Sequence, residues 1–241
     1  MKNAVGVIGG LGAMAGAYYL KRVFEFTDVD KDQDHINIML YSHATIVDRT
    51  AYILGKSSES PLPDLLADVH IMEALGCEFV TIACNTAQYF YEYLQENVGI
   101  PVVNIVEETI KFVVKNYASY RNIGILATDG TLETKIYQTY LEKNNLKPII
   151  PSKEEQAIVM SIIYDTIKKG NHVNENDFEM MINTLRERGA QKIILGCTEL
   201  SVAKGELNYH APDVLDALDV LAYETVRRSG KKVIHDVFSK F

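Results

Sequence analysis

The sequence has few cysteines, no long apolar segment and no excess of positive charge. Three cysteines in 241 residues are a small and odd number, which argues against a disulfide framework. No apolar run approaches the roughly 18 residues of a membrane-spanning helix, so we expect no membrane association. The formal net charge is −8 and the sequence has no basic stripe, which argues against a nucleic-acid partner.

Several short motifs are also missing. The sequence has no C-x-x-C pair and no His/Cys cluster with the spacing of zinc ligands, so we expect no metal. It has no G-x-S-x-G nucleophile motif. The N-terminus leads directly into a strand-like run, without the apolar region and cleavage site of a signal peptide. These observations predict a soluble, cytoplasmic protein.

Nucleotide binding is another function that the sequence disfavours. Residues 10–15 fit the loose G-x-G-x-x-A form of a dinucleotide-binding loop. That motif also requires an acidic residue at the end of the second strand, where this chain has Ser42, His43 and Ala44. We therefore expect no nucleotide cofactor, and the glycine loop could equally bring backbone N–H groups close to a carboxylate.

Two apolar runs each end in a cysteine that small polar residues follow. Residues 80–83 precede Cys84, and residues 193–196 precede Cys197. Each pattern predicts a buried strand that delivers a thiol to the start of a helix. Open α/β sheets bind ligands at the carboxyl ends of their strands, and helix N-termini favour negative charge. The pair therefore predicts two thiols that face one small molecule.

Strand and helix patterns alternate along the chain, which predicts an α/β fold with mostly parallel sheets covered on both faces. We expect two similar three-layer α/β lobes, residues 1–116 and 117–209, with the active site in the cleft between them. A C-terminal helix within residues 210–241 would pack back on the first lobe and fray from residue 231. Predicted strands are residues 4–8, 36–41, 78–83, 100–105, 123–127, 148–151 and 192–196. Predicted helices are residues 14–26, 63–75, 87–97, 107–116, 132–144, 156–169, 177–188 and 213–229.

Two opposed thiols suit proton transfer at one carbon, because a thiolate can remove a proton while a thiol returns one to the opposite face. The outcome is inversion of a stereocentre. Hydrogen-bond donors for the substrate stand near the strand ends at Asn85, Thr86, Thr128, Thr131 and Thr198. Arg49 is either a carboxylate clamp or a surface arginine paired with Asp48. His43 is the histidine whose position at a strand end is typical of a site residue, and Cys77 is interpreted as a packing thiol.

Motifs along nearly the whole chain resemble those of the cofactor-independent aspartate/glutamate racemase family, and within it the aspartate racemases. They are Gly9-Gly10-Leu11-Gly12, Asp48-Arg49-Thr50-Ala51-Tyr52-Ile53-Leu54-Gly55, Cys84-Asn85-Thr86-Ala87, Glu107-Glu108-Thr109, Leu126-Ala127-Thr128-Asp129-Gly130-Thr131, Ile163-Tyr164 with Lys168, and Gly196-Cys197-Thr198-Glu199.

The resemblance implies two lobes related by a pseudo-twofold axis, a homodimer and no cofactor. It implies Cys84 and Cys197 as the proton-transfer groups, and Arg49 and Lys168 as carboxylate binders. It also favours a functional role for Glu199, and Tyr164 would help to shape the site around Lys168. The implied activity is racemisation of an amino acid, with aspartate as the first candidate.

The chain departs from the family pattern where a substrate would touch the first lobe. Leu11 and Ala13 stand where relatives often have Met and Pro, and Gln88 stands where the cysteine motif often continues with His. Ser42-His43-Ala44 replaces an Asn-Asn-Pro sequence. Glutamate or a neutral amino acid therefore remains open as the substrate. A second enzymatic interpretation is a relative in the same superfamily, a decarboxylase or a cis–trans isomerase of a small diacid. Decarboxylases of the superfamily keep one cysteine, so the presence of both argues against that branch. A ligand-binding or thiol redox-sensing protein is the non-enzymatic interpretation.

Overall fold

The computed structural model describes residues 4–235 and 237–240, with side chains up to residue 238; residues 1–3, 236 and 241 of the predicted lobes lie outside this description. The described chain forms two four-stranded parallel sheets. The first has the order β2-β1-β3-β4 and consists of β1 (Ala4–Gly9), β2 (Asn37–Ser42), β3 (Cys77–Ile82) and β4 (Val102–Val103). The second has the order β6-β5-β7-β8 and consists of β5 (Asn122–Leu126), β6 (Lys147–Ile149), β7 (Lys192–Leu195) and β8 (Val214–Asp216).

The two sheets repeat one topology, because β5 to β8 are arranged in the same way as β1 to β4. Strand β1 of the first sheet and strand β7 of the second sheet are both central, and both are buried along their entire length. Helices cover both faces of such a sheet, so its strands appear in the sequence as continuous apolar runs rather than alternating ones. The predicted fold class, two similar α/β lobes with parallel sheets, is confirmed.

Helices fill the connections between the strands. In the first half they are α1 (Ala13–Phe26), α2 (Arg49–Ile53), α3 (Leu62–Ala74), α4 (Tyr91–Glu96) and α5 (Ile105–Asn116). In the second half they are α6 (Asp129–Glu133), α7 (Ile136–Lys143), α8 (Lys153–Ser161), α9 (Glu175–Glu187), α10 (Thr198–Glu206), α11 (Ala217–Arg228) and α12 (Val237–Lys240). No helix of the described residues is long and apolar enough to cross a membrane.

The C-terminal region differs from its prediction. Residues 214–216 form β8 and pair with β7, so the prediction of one helix from residue 213 was wrong at its start. The helix proper, α11, then packs against α1 and α5. The expected fraying from residue 231 was also wrong for the described part, because Val233 bridges to Thr27 and the side chain of Val237 is buried.

The predicted helix over residues 156–169 is interrupted. Helix α8 ends at Ser161 and continues as a π-helical turn (Ile162–Thr166) and a 3₁₀ turn (Ile167–Lys169). Single π-helical turns are frequent at functional sites because they redirect side chains out of the regular helical pattern. This turn carries Tyr164, and the 3₁₀ turn after it carries Lys168.

Candidate active site

Residues of both lobes line one cavity at the carboxyl ends of the central strands. About 250 Å³ of space not occupied by atoms lies within the cavity and its opening to solvent. Nine of the ten predicted site residues line it, namely Arg49, Cys84, Asn85, Thr86, Thr128, Lys168, Cys197, Thr198 and Glu199. The tenth, Thr131, hydrogen-bonds to two of the threonines among them. Leu11 and Tyr164, which the sequence placed near the substrate, also line the cavity, whereas Asp48 and Thr50 were not predicted as lining residues.

The two cysteines occupy equivalent positions in the two lobes. Cys84 follows the end of β3 by two residues, and Cys197 follows the end of β7 by two residues. The residue before each cysteine donates its backbone N–H to a central strand: Ala83 to the Ile8 carbonyl at 3.0 Å, and Gly196 to the Leu126 carbonyl at 2.7 Å. In each lobe, the chain thus makes one further hydrogen bond to the neighbouring strand immediately before the cysteine, which lines the cavity.

The Cys197 thiol is held by a carboxylate. Its Sγ donates a hydrogen bond to Glu199 Oε2 at 3.0 Å. Burial raises the pKa of Cys197 well above its usual value, and the Glu199 charge raises it further, while Lys168 acts in the opposite direction. A thiol that is buried beside a carboxylate keeps its proton. The surroundings of Cys197 therefore favour its protonated thiol form.

The other oxygen of Glu199 lies against the start of α1. A Cβ atom added at Gly12 would lie only 2.2 Å from Glu199 Oε1. Oε1 is buried and has no hydrogen-bond partner in the described structure. Buried polar atoms in native proteins are usually paired, so Oε1 is available to a ligand.

Three threonine hydroxyls form a closed hydrogen-bonded cluster at the wall of the cavity. Thr86 Oγ1 lies 2.9 Å from Thr128 Oγ1 and 2.9 Å from Thr131 Oγ1, and the latter two are 3.1 Å apart. Thr128 also caps α6 by accepting a hydrogen bond from the Thr131 backbone N–H. The cap fixes the cluster in place, so the cavity wall is preorganised for hydrogen bonding.

The side-chain amide of Asn85 is held in one orientation, and its nitrogen remains free to donate hydrogen bonds. Its Oδ1 accepts a hydrogen bond from the Tyr137 hydroxyl at 2.6 Å, which fixes the orientation of the side-chain amide. Its Nδ2 is buried without a partner in the described structure. Because an amide nitrogen only donates, this atom favours an acceptor such as a carboxylate. Tyr137 was not predicted, since its contact with Asn85 spans 52 residues.

Arg49 is buried, with 5% of its surface exposed, so its interpretation as a surface arginine was wrong. Its Nη1 donates to the backbone carbonyls of Ile46 and Val47, and its Nη2 donates to the carbonyl of Leu11. Its Nε is buried and has no partner in the described structure. A guanidinium group has five N–H donors, so Arg49 is fixed by the backbone and still has donors for a ligand.

Asp48 joins the two lobes at the edge of the cavity. It caps α2 by accepting the Ala51 backbone N–H at 2.7 Å. It also accepts hydrogen bonds from the Tyr164 hydroxyl at 3.0 Å and from Lys168 Nζ at 3.3 Å. Burial alone would raise the pKa of Asp48, but Lys168 and the Ala51 N–H outweigh it and lower that pKa. Asp48 is therefore an anion that positions Tyr164 and Lys168.

Lys168 stays charged although it is largely enclosed. Burial works against its ammonium form, but Glu199, Tyr164 and Asp48 together raise the pKa of Lys168 above its ordinary value. The Nζ atom also lies 4.0 Å from the centre of the Tyr164 ring, a favourable cation–π contact. Burial likewise raises the pKa of Tyr164 to about 12, so this side chain is a neutral donor.

His43 is not among the residues that line the cavity, and its Nδ1 pairs with Asp68 at 3.0 Å. The residues that line the cavity include no histidine. The third cysteine, Cys77, is buried against Met39 and lies outside the cavity. Among residues 4–235 and 237–240, no group of three or more His, Cys, Asp or Glu side chains could hold a metal ion.

Together, the fold and the site define a class of two-lobed α/β proteins in which each lobe contributes one thiol to a shared polar cavity. Comparison with known proteins identifies the family. The model of the Asp/Glu/Hydantoin racemase family matches residues 8–225, so the chain belongs to this family.

The relatives include racemases of different stated substrates. The chain is 26% identical over 230 residues to the broad specificity amino-acid racemase RacX of Bacillus subtilis, covering 92% of this chain and 96% of that protein. The aspartate racemase of Picrophilus torridus is 26% identical, with a TM-score of 0.81 and coverage of 95% of each chain. The glutamate racemase of Campylobacter jejuni has a TM-score of 0.66 at 18% identity, covering 95% of this chain and 86% of that one, which shows a shared fold.

Proposed function

We propose that this protein is a cofactor-independent amino-acid racemase that interconverts L- and D-aspartate by two-base proton transfer between Cys84 and Cys197. The observation that carries the proposal is that both thiols line one small cavity together with Arg49 and Lys168. The cavity thus combines two proton-transfer groups with two cations for substrate carboxylates. The Picrophilus torridus neighbour, an aspartate racemase, supports aspartate as the substrate.

In the proposed reaction, the substrate Cα lies between the two sulfur atoms. The Cys84 thiolate takes the Cα proton, and the electron pair that is left moves toward the substrate carboxylate. The Cys197 thiol, which its environment keeps protonated, then delivers its proton to the opposite face of Cα. Cys84 ends as a thiol and Cys197 as a thiolate, so the reverse reaction starts from the product.

The remaining cavity residues would bind and polarise the substrate. Arg49 Nε and Asn85 Nδ2 are buried donors without a partner in the described structure, and we assign them to the α-carboxylate, where negative charge develops. Lys168 would bind the second carboxylate of aspartate. Glu199 Oε1, a free acceptor, would bind the α-ammonium group. Thr86, Thr128, Thr131 and Thr198 would supply further hydroxyl hydrogen bonds.

Proton NMR of the purified protein with L-aspartate in D2O, without added cofactor, tests this proposal. We expect the Cα–H signal to disappear and D-aspartate to form. Cys84→Ser and Cys197→Ser should each reduce racemisation by roughly 10²–10⁴-fold, the usual contribution of a positioned acid or base. Cys77→Ala is the matched control, since Cys77 lies outside the cavity. Racemisation at the wild-type rate in both serine variants would disprove the mechanism.

A broad-specificity racemase is the second candidate, because the relative of that description matches over 96% of its length. Exchange measured with aspartate, glutamate and neutral amino acids distinguishes the two. The non-enzymatic candidate is a ligand-binding or redox-sensing protein, in which the two thiols would form a reversible disulfide. All three cysteines are free in the structure. Thiol titration before and after mild oxidation measures this, and unchanged free thiols would exclude it.

A further inference from the structure

We propose that a second space beside the thiol cavity, the vestibule, binds the side chains of unbranched, uncharged amino acids that are longer than aspartate. Methionine is the representative substrate. The inference rests on the proposed racemase function and adds a class of substrate to it. The vestibule is the space between the glycine loop after β1 and the end of the π-helical segment, lined by Leu11, Ala13, Met14, Ala44, Ile46 and Ile167.

The vestibule adjoins the thiol cavity. Leu11, Asp48, Arg49, Lys168 and Glu199 line both spaces, so they form a shared boundary. Counted with their openings to solvent, the thiol cavity contains about 250 Å³ of unoccupied space and the vestibule about 850 Å³. Only the smaller space is lined by Cys84 and Cys197. Since the reacting Cα must lie between the thiols, any long side chain has to extend across the boundary.

The charges on the shared boundary balance each other. The two carboxylates, Asp48 and Glu199, face two cations, Arg49 and Lys168. Lys168 pairs with Asp48 at 3.3 Å, and the carboxylate of Glu199 accepts the Cys197 thiol at 3.0 Å. Arg49 donates to three backbone carbonyls. A charged side chain that passes this boundary would lose hydration and meet both signs of charge. The two atoms there that lack a partner in the described structure, Glu199 Oε1 and Arg49 Nε, are already assigned to the α-ammonium and α-carboxylate groups of the substrate.

Beyond the boundary, the wall is aliphatic. Leu11, Ile46 and Ile167 are buried, which gives a fixed apolar surface. Met14 is 60% exposed at the mouth and can adapt to different chain shapes. Transfer of methylene groups from water to such a surface is favourable, and the gain increases with the length of the chain. The surface therefore suits a linear aliphatic or thioether chain.

Three positions at which the sequence departs from the family pattern lie on this wall: Leu11, Ala13 and Ala44. Ala13 and Ala44 are small and exposed, so they leave the mouth open. A larger side chain at either position would project into the vestibule rather than into the protein core. Both positions are therefore suitable for blocking the vestibule while leaving the thiol cavity unaltered.

The first test compares four substrates of the wild-type enzyme by Cα–H exchange in D2O: L-methionine, L-lysine, L-glutamate and L-aspartate. Methionine, lysine and glutamate have similar reach and differ in charge. We expect kcat/KM for methionine to exceed those for lysine and glutamate by about tenfold or more, the usual scale of pocket discrimination. Exchange of aspartate without methionine, or a preference for lysine or glutamate over methionine, overturns this inference and leaves the racemase function standing. Absence of exchange with all four substrates contradicts the proposed function itself.

The second test locates the binding surface. Ala13→Leu and Ala44→Leu should each lower the ratio of kcat/KM for methionine to kcat/KM for aspartate by about tenfold. Ala118→Leu is the matched control, because Ala118 lies on an exposed turn outside both spaces and should keep the wild-type ratio. The ratio within each variant is insensitive to the amount of folded enzyme. A wild-type ratio in both vestibule variants would show that the long side chain binds elsewhere.

Discussion

Glu199 makes the two thiols chemically different although the two lobes place them equivalently. Its Oε2 accepts the Cys197 thiol, and its Oε1 lies beside Gly12 at the start of α1. Cys84 instead lies at the start of a 3₁₀ turn (Thr86–Phe90), where Gln88 donates to its backbone carbonyl. The asymmetry suits a pair in which one thiol donates a proton while the other group accepts one.

Replacement of Glu199 by glutamine should lower the pKa of the Cys197 thiol. The carboxylate raises this pKa by its negative charge and by accepting the thiol hydrogen bond, and Lys168 acts in the opposite direction. A neutral amide removes the effect of the negative charge and leaves the opposing effect of Lys168. In a Cys77→Ala/Cys84→Ala background, alkylation of Cys197 by iodoacetamide should therefore reach half its maximal rate at a lower pH in the Glu199→Gln protein.

Glu206→Gln in the same background is the matched control, because Glu206 pairs with the exposed His172 and lies outside the cavity. It should leave the midpoint of alkylation where it was. If Glu199→Gln leaves the midpoint unchanged or moves it to higher pH, Glu199 does not hold the Cys197 proton.

At the scale of elements, the start of α1 and the start of α10 depend on each other. Gly12 precedes α1, and Glu199 lies in the first turn of α10. Gly12 has an extended φ of 176°, which any residue can adopt, so alanine there is not excluded by its backbone. The constraint is steric, because the added Cβ would lie 2.2 Å from Glu199 Oε1.

Gly12→Ala should therefore displace Glu199 and reduce kcat by about tenfold or more, since small misplacements at a reacting centre are costly. The melting temperature should change by only a few degrees. Gly99→Ala provides a matched control: its Cβ would lie 2.5 Å from Glu73 Oε1, at a site remote from the cavity. Equal loss of activity in both variants would contradict this explanation.

Elements that have a strong local pattern were predictable from the sequence, and the site follows from them. The apolar runs before Cys84 and Cys197 predicted both strands and the position of both thiols. Strand β8 was not recognised because its three residues merge with the apolar pattern of α11. The π-helical turn has no sequence signal, and it changes which face of the segment carries Tyr164.

Contacts between distant residues account for the rest of what sequence reasoning missed. Asp48 looks like a local partner of Arg49, but its carboxylate binds Tyr164 and Lys168, which are more than one hundred residues away. The local sequence feature that could have pointed to Asp48 was its position as the N-cap of a short helix. Hydrogen bonds between side chains of the two lobes depend on how the lobes pack together. The periodicity of a single sequence carries no information about that packing.

At the scale of the whole molecule, buried charges lie where α1, α10 and α11 meet. Asp219 of α11 accepts from Arg22 of α1 at 2.6 Å and from Lys204 of α10 at 3.0 Å. The contact joins a helix of the first lobe to the helix that follows Cys197. Removing one partner of such a buried charge cluster is usually strongly destabilising.

The homodimer that the resemblance implies stays a prediction. Sedimentation velocity of the purified protein would measure its oligomeric state.

Asp216 lies at the same junction, at the end of β8 and the start of α11, and we expect it to make the stability of the molecule depend on pH. It accepts hydrogen bonds from Ser201 Oγ at 2.6 Å and from the Leu218 backbone N–H at 2.9 Å. Burial, and then the nearby charge of Asp219, raise the pKa of Asp216 from 3.8 to about 6. Its other oxygen, Oδ2, is buried without a partner in the described structure.

The raised pKa means that the folded protein binds a proton at Asp216 between about pH 4 and 6, where the unfolded chain has released it. This group therefore contributes stability below pH 4 that is lost as the pH rises through 6, by at most about 3 kcal/mol. Asp216→Asn removes the titration and keeps a residue that caps α11. Melting temperatures measured from pH 4 to pH 7 should thus fall in the wild type relative to this variant, by several degrees. Asp165→Asn, which alters an exposed ion pair, should follow the wild type. Parallel curves for the wild type and Asp216→Asn would show that Asp216 is ionised throughout this range and that the junction tolerates its charge.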